Sequence, residues 1–227
     1  MSGLGRACAP PAHLGGAPLG DRHVAEAITE HLPESEDLES FHGGWPPDAA
    51  LLDWFDEGLA ALLVALEEAP EDLRCFAFLP APSASAFWAR RQAHETAVHA
   101  LDAELAAGSG GALAPLFSAD GLDELLGGFV PRLGRRLSSA AGEHLVVRTT
   151  DTGHAFSLAI GATGTTTEGA GAVGEEVIAD APGDAALAGA AADLYRWGWA
   201  RGGREGLVLT GDAAVVEHFE EAVHIRW

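Results

Sequence analysis

Cysteines, basic residues and long apolar runs are all scarce in this sequence of 227 residues. The two cysteines, Cys8 and Cys75, form no CxxC pair and are too few for a disulfide framework, which predicts a protein of the reducing cytoplasm. Since no apolar run approaches the ~18 residues of a membrane span, we expect no transmembrane helix. The first residues lack a charged segment followed by an apolar one, so they predict no signal peptide.

The charge balance is strongly acidic. Thirteen basic residues stand against 34 acidic ones, and the formal net charge is −21. Such a surface repels the phosphates of nucleic acids and of anionic lipids, so we expect neither nucleic acid nor a membrane as a partner. A small-molecule ligand remains compatible with this charge, and high solubility alone also explains it.

Helical periodicity dominates the first 138 residues. The spacing of apolar residues predicts helices over 21–32, 48–69, 86–107 and 118–129, separated by proline- or glycine-rich loops. Asp48 and Ser85 are placed to cap the second and third helices, and Pro131 is expected to interrupt the fourth. The second helix is predicted to bury a stripe that consists of Leu51, Leu52, Phe55, Leu59, Leu62, Leu63 and Leu66.

The pattern changes near residue 140. Two β-branched and alternating segments, 144–150 and 154–161, predict a hairpin, and 163–179 predicts further strand and turn. An alanine-rich helix is predicted over 184–201, a short strand over 206–212 and a last helix over 212–223. We therefore expect two domains, a helical one over 1–138 and an α+β one over 143–227.

The third predicted helix carries two faces. Its sequence is FWARRQAHETAVHALDAE, residues 87–104. At about 100° per residue, one stripe is mostly apolar and consists of Phe87, His94, Val98, Leu101 and Leu105. The other consists of Trp88, Arg91, Glu95, His99 and Asp102. We interpret the second stripe as one wall of a site, in which Trp88 contributes packing, and we interpret His94 as a structural histidine.

Glu95 and His99 stand one helical turn apart, so both side chains can close on one ion. A carboxylate with a neutral imidazole suits zinc or another divalent first-row metal. Asp102, one turn further on, could orient the His99 imidazole. The alternative for Glu95 and His99 is a surface pair at i and i+4 without a metal.

The stretch HETAVH resembles the metalloprotease signature H-E-x-x-H, but it contains one residue too many. His94 and His99 are therefore about 140° apart around the helix and cannot face one metal. This spacing excludes a metalloprotease site.

Residues 87–104 resemble the hallmark of the actinobacterial maleylpyruvate isomerase-like, mycothiol-dependent proteins, which reads like W-x-R-R-x-A-H-E-x-x-x-H-x-x-D-A-E. DAALLDWFDEG (48–58) and ADLYRWGWARGGREGLVLTGD (192–212) are also similar to family segments. The resemblance implies a DinB-like four-helix bundle followed by a small α+β domain like that of sterol-carrier proteins. It also implies mycothiol as a cosubstrate.

The resemblance further implies a divalent metal, usually zinc, held by a histidine of an early helix together with Glu95 and His99. The N-terminal segment departs from the family pattern, since the first helix is missing and Pro18 follows the histidine motif. His13 is the best match for the early histidine, and His23 is a weaker one.

Two arginines are candidates for binding an acidic substrate. Arg91 lies one turn before Glu95 and is expected either to bind a carboxylate or to pair with Glu95. Arg201 matches the arginine turn of the family and could bind substrate or favour the C-terminus of its helix.

The predicted function is a maleylpyruvate isomerase-like cis–trans isomerisation or thiol transfer on a small organic acid. The alternatives are a non-catalytic metal- or ligand-binding relative and a partner-binding regulator.

Overall fold

The computed structural model describes residues 46–70, 72–75, 77–168 and 183–225. Within these ranges one compact unit ends at His99, and the other runs from Ala100 to Ile225. The predicted domain limits of 1–138 and 143–227 remain predictions. The helix predicted over 21–32, together with His13, His23 and Cys8, lies outside the described residues.

In the first unit, a 3-10 turn, Asp48–Ala50, leads into helix α1, Leu51–Glu67. The prediction that Asp48 caps this helix is wrong, because the chain turns once before α1 starts and no side chain caps its first turn. The predicted buried stripe is only partly correct. Leu62 is buried, whereas Leu52 and Leu63 are 78% and 51% exposed. Gly58 and Ala65 are the other buried residues of α1.

Helix α2, Ala84–Ala106, extends across the limit between the two units and matches the predicted third helix closely. Ser83 rather than Ser85 caps it, because the Ser83 hydroxyl accepts a hydrogen bond from the Ala86 amide at 3.1 Å. The Ser85 hydroxyl lies 3.0 Å from that of Ser83. A serine at this position satisfies one of the amides that the first helical turn leaves open.

In the second unit, the end of α2 is followed by α3, Pro115–Asp123, then by a π-helical segment, Glu124–Phe129, and a 3-10 segment, Val130–Arg136. The prediction placed its start at Ser118, but Pro115 occupies the first turn, where its missing amide costs nothing. Pro131 changes the helix type instead of ending the helical stretch. Leu122, Leu125 and Leu126 are buried.

The strands of the second unit form one sheet in the order β3-β2-β1-β4-β5. Their bounds are β1, Glu143–Thr149; β2, Ala155–Gly161; β3, Gly164–Glu168; β4, Ala185–Gly189; and β5, Val208–Gly211. The predicted hairpin is confirmed, since β1 and β2 pair antiparallel with Leu145 opposite Leu158. Burial alternates along β2 as expected for a strand with one covered face.

Strand β4 corrects the prediction of a helix over the whole of 184–201. Residues 185–189 pair parallel with β1 and antiparallel with β5, so this segment lies inside the sheet. Only the second half of the predicted helix forms, as α4, Ala191–Gly198. Alanine favours helices by propensity alone, but pairing on both sides outweighs that preference here.

Two aspartate side chains accept hydrogen bonds from amides in the first turns of the helices that cover this sheet. The Asp151 carboxylate accepts a hydrogen bond from the Ala191 amide at 2.9 Å at the start of α4. Asp212 caps the last helix, α5, Ala213–Ala222, by accepting from the Ala214 amide at 3.0 Å. The predicted last strand and last helix are thus confirmed.

The predicted fold class, a helical part followed by a small α+β part, is confirmed over the described ranges. Of the four helices predicted for the first part of the chain, the one over 21–32 lies outside these ranges. No helix in the described ranges has both the length and the apolar character needed to cross a membrane.

Candidate metal and thiol site

Glu95 is a buried carboxylate in the middle of α2, with 2% of its surface exposed. The equally buried Arg91 lies one turn earlier, and its Nε is 3.5 Å from Glu95 Oε2. The structure therefore brings together two residues of the second stripe of the third predicted helix, which was interpreted as one wall of a site. This is the i, i+4 ion pair that was one of the two expected roles of Arg91.

The second carboxylate oxygen of Glu95, Oε1, is buried and has no hydrogen-bond partner in the described part of the chain. Burial raises the pKa of Glu95, while the nearby charges of Arg91 and His99 and a hydrogen bond from Arg91 oppose that rise. A buried oxygen that has lost its water and gained no partner is costly. Such an atom points to a group that binds there, because native proteins seldom leave one unsatisfied.

His99 follows one turn after Glu95, and its Nε2 is buried. Its charge contributes to the pKa of Glu95, so the two side chains are close enough to interact. The buried open oxygen of Glu95 beside an imidazole fits a divalent first-row metal, which takes carboxylate oxygen and histidine nitrogen as ligands.

No group of three or more His, Cys, Asp or Glu side chains is placed to hold a metal among the described residues. The predicted third ligand, His13, and its weaker substitute, His23, both lie outside the described ranges. The ligand set of His13, Glu95 and His99 accordingly remains a prediction.

The rest of α2 packs as its two stripes predicted, with one exception. Phe87, His94, Val98 and Leu101 are buried, but Leu105 is 52% exposed because it lies in the last turn. Trp88 packs edge to face on Phe87 and Phe78, with ring centroids 4.8 Å and 6.3 Å away. These contacts agree with a packing role for Trp88.

Arg201 makes a two-pronged ion pair with Asp102, which is one turn beyond His99 on α2. Its Nε donates to Oδ1 and its Nη2 to Oδ2, both at 2.9 Å, and its Nη1 donates to the Trp199 carbonyl at 2.8 Å. Arg201 lies in the turn after α4 rather than in its last turn. A substrate-binding role for Arg201 stays a prediction, and a carboxylate substrate would compete with Asp102 for it.

This ion pair was missed by the sequence analysis. The two residues are 99 positions apart, so no local spacing connects them. The expected orientation of His99 by Asp102 stays a prediction, and both oxygens of Asp102 accept hydrogen bonds from Arg201. One hint of this pair was present in the sequence, because position 201 is an arginine and its planar guanidinium group matches a carboxylate.

The C-terminal unit has a cavity of its own of about 340 Å³, between the end of α4 and α5. Its lining includes Arg204 and Glu220, whose Nε and Oε1 are 3.0 Å apart. The Trp197 indole also donates to Glu220 at 2.8 Å. Because these three side chains bind one another, their polar groups are already satisfied within the protein.

Two family models match the chain. One, the mycothiol maleylpyruvate isomerase N-terminal domain, matches residues 12–104, and the C-terminal domain of the same family matches 117–218. The chain belongs to the mycothiol maleylpyruvate isomerase family. Glu95 and His99 thus lie inside the matched N-terminal domain of this family, and Arg201 lies inside the matched C-terminal domain.

Solved structures of the same family are similar to this chain. A mutant of the mycothiol-dependent maleylpyruvate isomerase is 19% identical, with a TM-score of 0.50, over 93% of this chain and 76% of that one. Another structure of the mycothiol-dependent maleylpyruvate isomerase has the same identity and coverage, with a TM-score of 0.47. At this identity, the first likeness supports a shared fold and nothing finer.

A UbiJ-SCP2 ubiquinone synthesis protein is 21% identical over 48% of this chain and 94% of that one, with a TM-score of 0.32. The comparison with curated proteins found no match.

Proposed function

We propose that this protein is a mycothiol-dependent metalloenzyme that catalyses cis–trans isomerisation or thiol transfer on a small unsaturated organic acid. The observation that carries the proposal is the buried, open carboxylate oxygen of Glu95 beside His99. Membership of the mycothiol maleylpyruvate isomerase family supports it.

Glu95 and His99 would hold the metal, with His13 as the third ligand. When bound, the cation would supply a positive charge that favours the ionised form of a thiol at neutral pH. Three protein ligands would leave a position open, as in catalytic zinc sites. The burial of Glu95 keeps water from competing for its oxygens, which strengthens its attraction for a cation.

The thiol cosubstrate would add its sulfur to one carbon of the conjugated double bond, allow rotation about the resulting single bond, and leave again with its electron pair. The π electrons that the new C–S bond displaces return to the double bond as the sulfur leaves, so no oxidant or reductant is needed. The role of this chain is to bind both partners and to stabilise negative charge on the acid. Arg91, which is buried beside Glu95, is the candidate for holding a substrate carboxylate.

The test is the isomerisation of maleylpyruvate by the zinc-loaded protein, followed by the change in ultraviolet absorbance, with and without mycothiol. We expect turnover that requires the thiol and falls at least about 100-fold in Glu95→Gln, since a metal ligand is lost. Glu104→Gln is the matched control, because Glu104 is on the opposite side of α2 from Glu95.

Turnover at the same rate without any thiol would contradict the proposal. Metal and mycothiol binding without turnover of any cis-unsaturated acid would instead favour a non-catalytic binding relative.

A further inference from the structure

Gln92 is a buried amide on the same side of α2 as Glu95 and His99, and no predicted role uses it. Its residue is 3% exposed, and its Oε1 is buried without a hydrogen-bond partner in the described ranges. From helical geometry, Gln92 lies about 60° from Glu95 and about 20° from His99 around the helix axis. Gln92, Glu95 and His99 therefore share one face within the same compact unit.

Two neighbouring acceptors on this face are open at the same time, Gln92 Oε1 and Glu95 Oε1. An amide oxygen and an ionised carboxylate oxygen only accept hydrogen bonds, so they cannot satisfy each other. A guest that supplies a cation or hydrogen-bond donors would offset the free-energy cost of two buried open oxygens. In the proposed site, a metal would satisfy Glu95 and leave Gln92 open.

The position of Gln92 favours a neighbour of the metal over the metal itself. Gln92 and His99 are seven residues apart, about 10 Å along the helix axis, while Gln92 and Glu95 have β-carbons about 5–6 Å apart. Gln92 is thus placed beside a ligand that sits next to Glu95. A substrate carboxylate would be repelled by the amide oxygen. A hydroxyl can donate to the amide oxygen but also carries lone pairs of its own, whereas an amide N–H only donates.

We propose that Gln92 Oε1 accepts a hydrogen bond from an amide N–H of the thiol cosubstrate, a few bonds from the sulfur, and thereby selects among thiols. This inference rests on the proposed function, because it assumes that a thiol binds next to Glu95. Gln92 occupies a position that the family hallmark leaves variable, so it would adjust the preference of this chain for its thiol.

The test is calorimetric titration of the zinc-loaded protein with two thiols. N-acetylcysteine methyl ester has an amide N–H three bonds from its sulfur, and methyl 3-mercaptopropanoate lacks the acetamido group. We expect the wild-type protein to bind the first about tenfold more tightly, as one hydrogen bond to a buried acceptor provides. Gln92→Leu should bind both with equal affinity, and Gln92→Glu, which keeps an oxygen acceptor, should retain the preference.

Zinc content and thermal unfolding of each variant are measured first. If Gln92→Leu keeps the wild-type preference between the thiols, the inference is wrong. Loss of zinc from Gln92→Leu would overturn it as well, since Gln92 would then act on the metal or on Glu95. If wild-type protein binds zinc but neither mycothiol nor the two probes, the proposed function itself fails.

Discussion

Arg201 and Asp102 form a two-pronged ion pair within the second unit. Three guanidinium nitrogens are engaged, two by Asp102 and one by the Trp199 carbonyl. The Arg201 side chain is 16% exposed and that of Asp102 is 41% exposed, so solvent screens the pair in part. Bidentate geometry raises its contribution above that of a single surface contact.

A double-mutant cycle of Asp102→Asn and Arg201→Met should give a coupling energy of about 1 kcal/mol in urea unfolding at low salt. The control cycle uses Arg196 and Asp193, a more exposed i, i+3 pair at 3.2 Å, for which we expect about 0.3 kcal/mol. Equal couplings in the two cycles would mean that the two-pronged geometry adds nothing to stability.

Individual residues of the site face could be predicted from local spacing, whereas their partners from distant segments could not. The i, i+4 spacing of Arg91, Glu95 and His99 is a property of one helix, and the structure brings Arg91 and Glu95 together as that spacing implies. The Arg201 contact with Asp102 depends on how remote segments pack. The same holds for Asp151, which caps a helix 40 residues later.

Strand β5 ends at a glycine whose backbone conformation is one that residues with a side chain rarely adopt. Gly211 has φ +83°, and an added Cβ would lie 2.2 Å from the carbonyl oxygen of Asp184. That carbonyl accepts a hydrogen bond from the Asp212 amide, so the backbone is held on both sides. The close approach lets β5 pair with β4 up to its last residue.

Gly211→Ala should lower the free energy of unfolding by more than about 3 kcal/mol, because backbone strain and a clash with backbone act together. Gly142→Ala is the control. Gly142 also has a positive φ, +76°, but an added Cβ there would meet open space, so we expect a loss of about 1 kcal/mol. Chemical denaturation measures both, and similar losses would contradict the contact described for Gly211.

The elements with a clear period were predictable and those defined by pairing were not. Helix α2 and the β1–β2 hairpin follow directly from periods of 3.6 and 2 in adjacent residues. Strand β4 is alanine-rich and could not be separated from the helix that follows it, because its partners β1 and β5 lie elsewhere in the chain. Its alternation of buried and half-buried residues appears only once the sheet forms.

The net charge of −21 acts on the whole molecule and opposes the approach of an anionic substrate. Added salt screens this repulsion over a length of about 10 Å at 0.1 M. If the substrate is an organic dianion, kcat/KM should rise about twofold to threefold between about 10 mM and 150 mM NaCl. A neutral diester of the same acid, used in a binding titration, should show no such dependence. A fall in kcat/KM with salt would mean that a local positive field around Arg91 outweighs the overall charge.

The metal content of the purified protein, measured by elemental analysis beside Glu95→Gln, His99→Ala and the control Glu104→Gln, tests the central claim most directly. The account predicts about one zinc per chain in the wild type and in Glu104→Gln, and loss of zinc in the other two variants. Zinc retained by both Glu95→Gln and His99→Ala would contradict the assignment of the site to this face of α2.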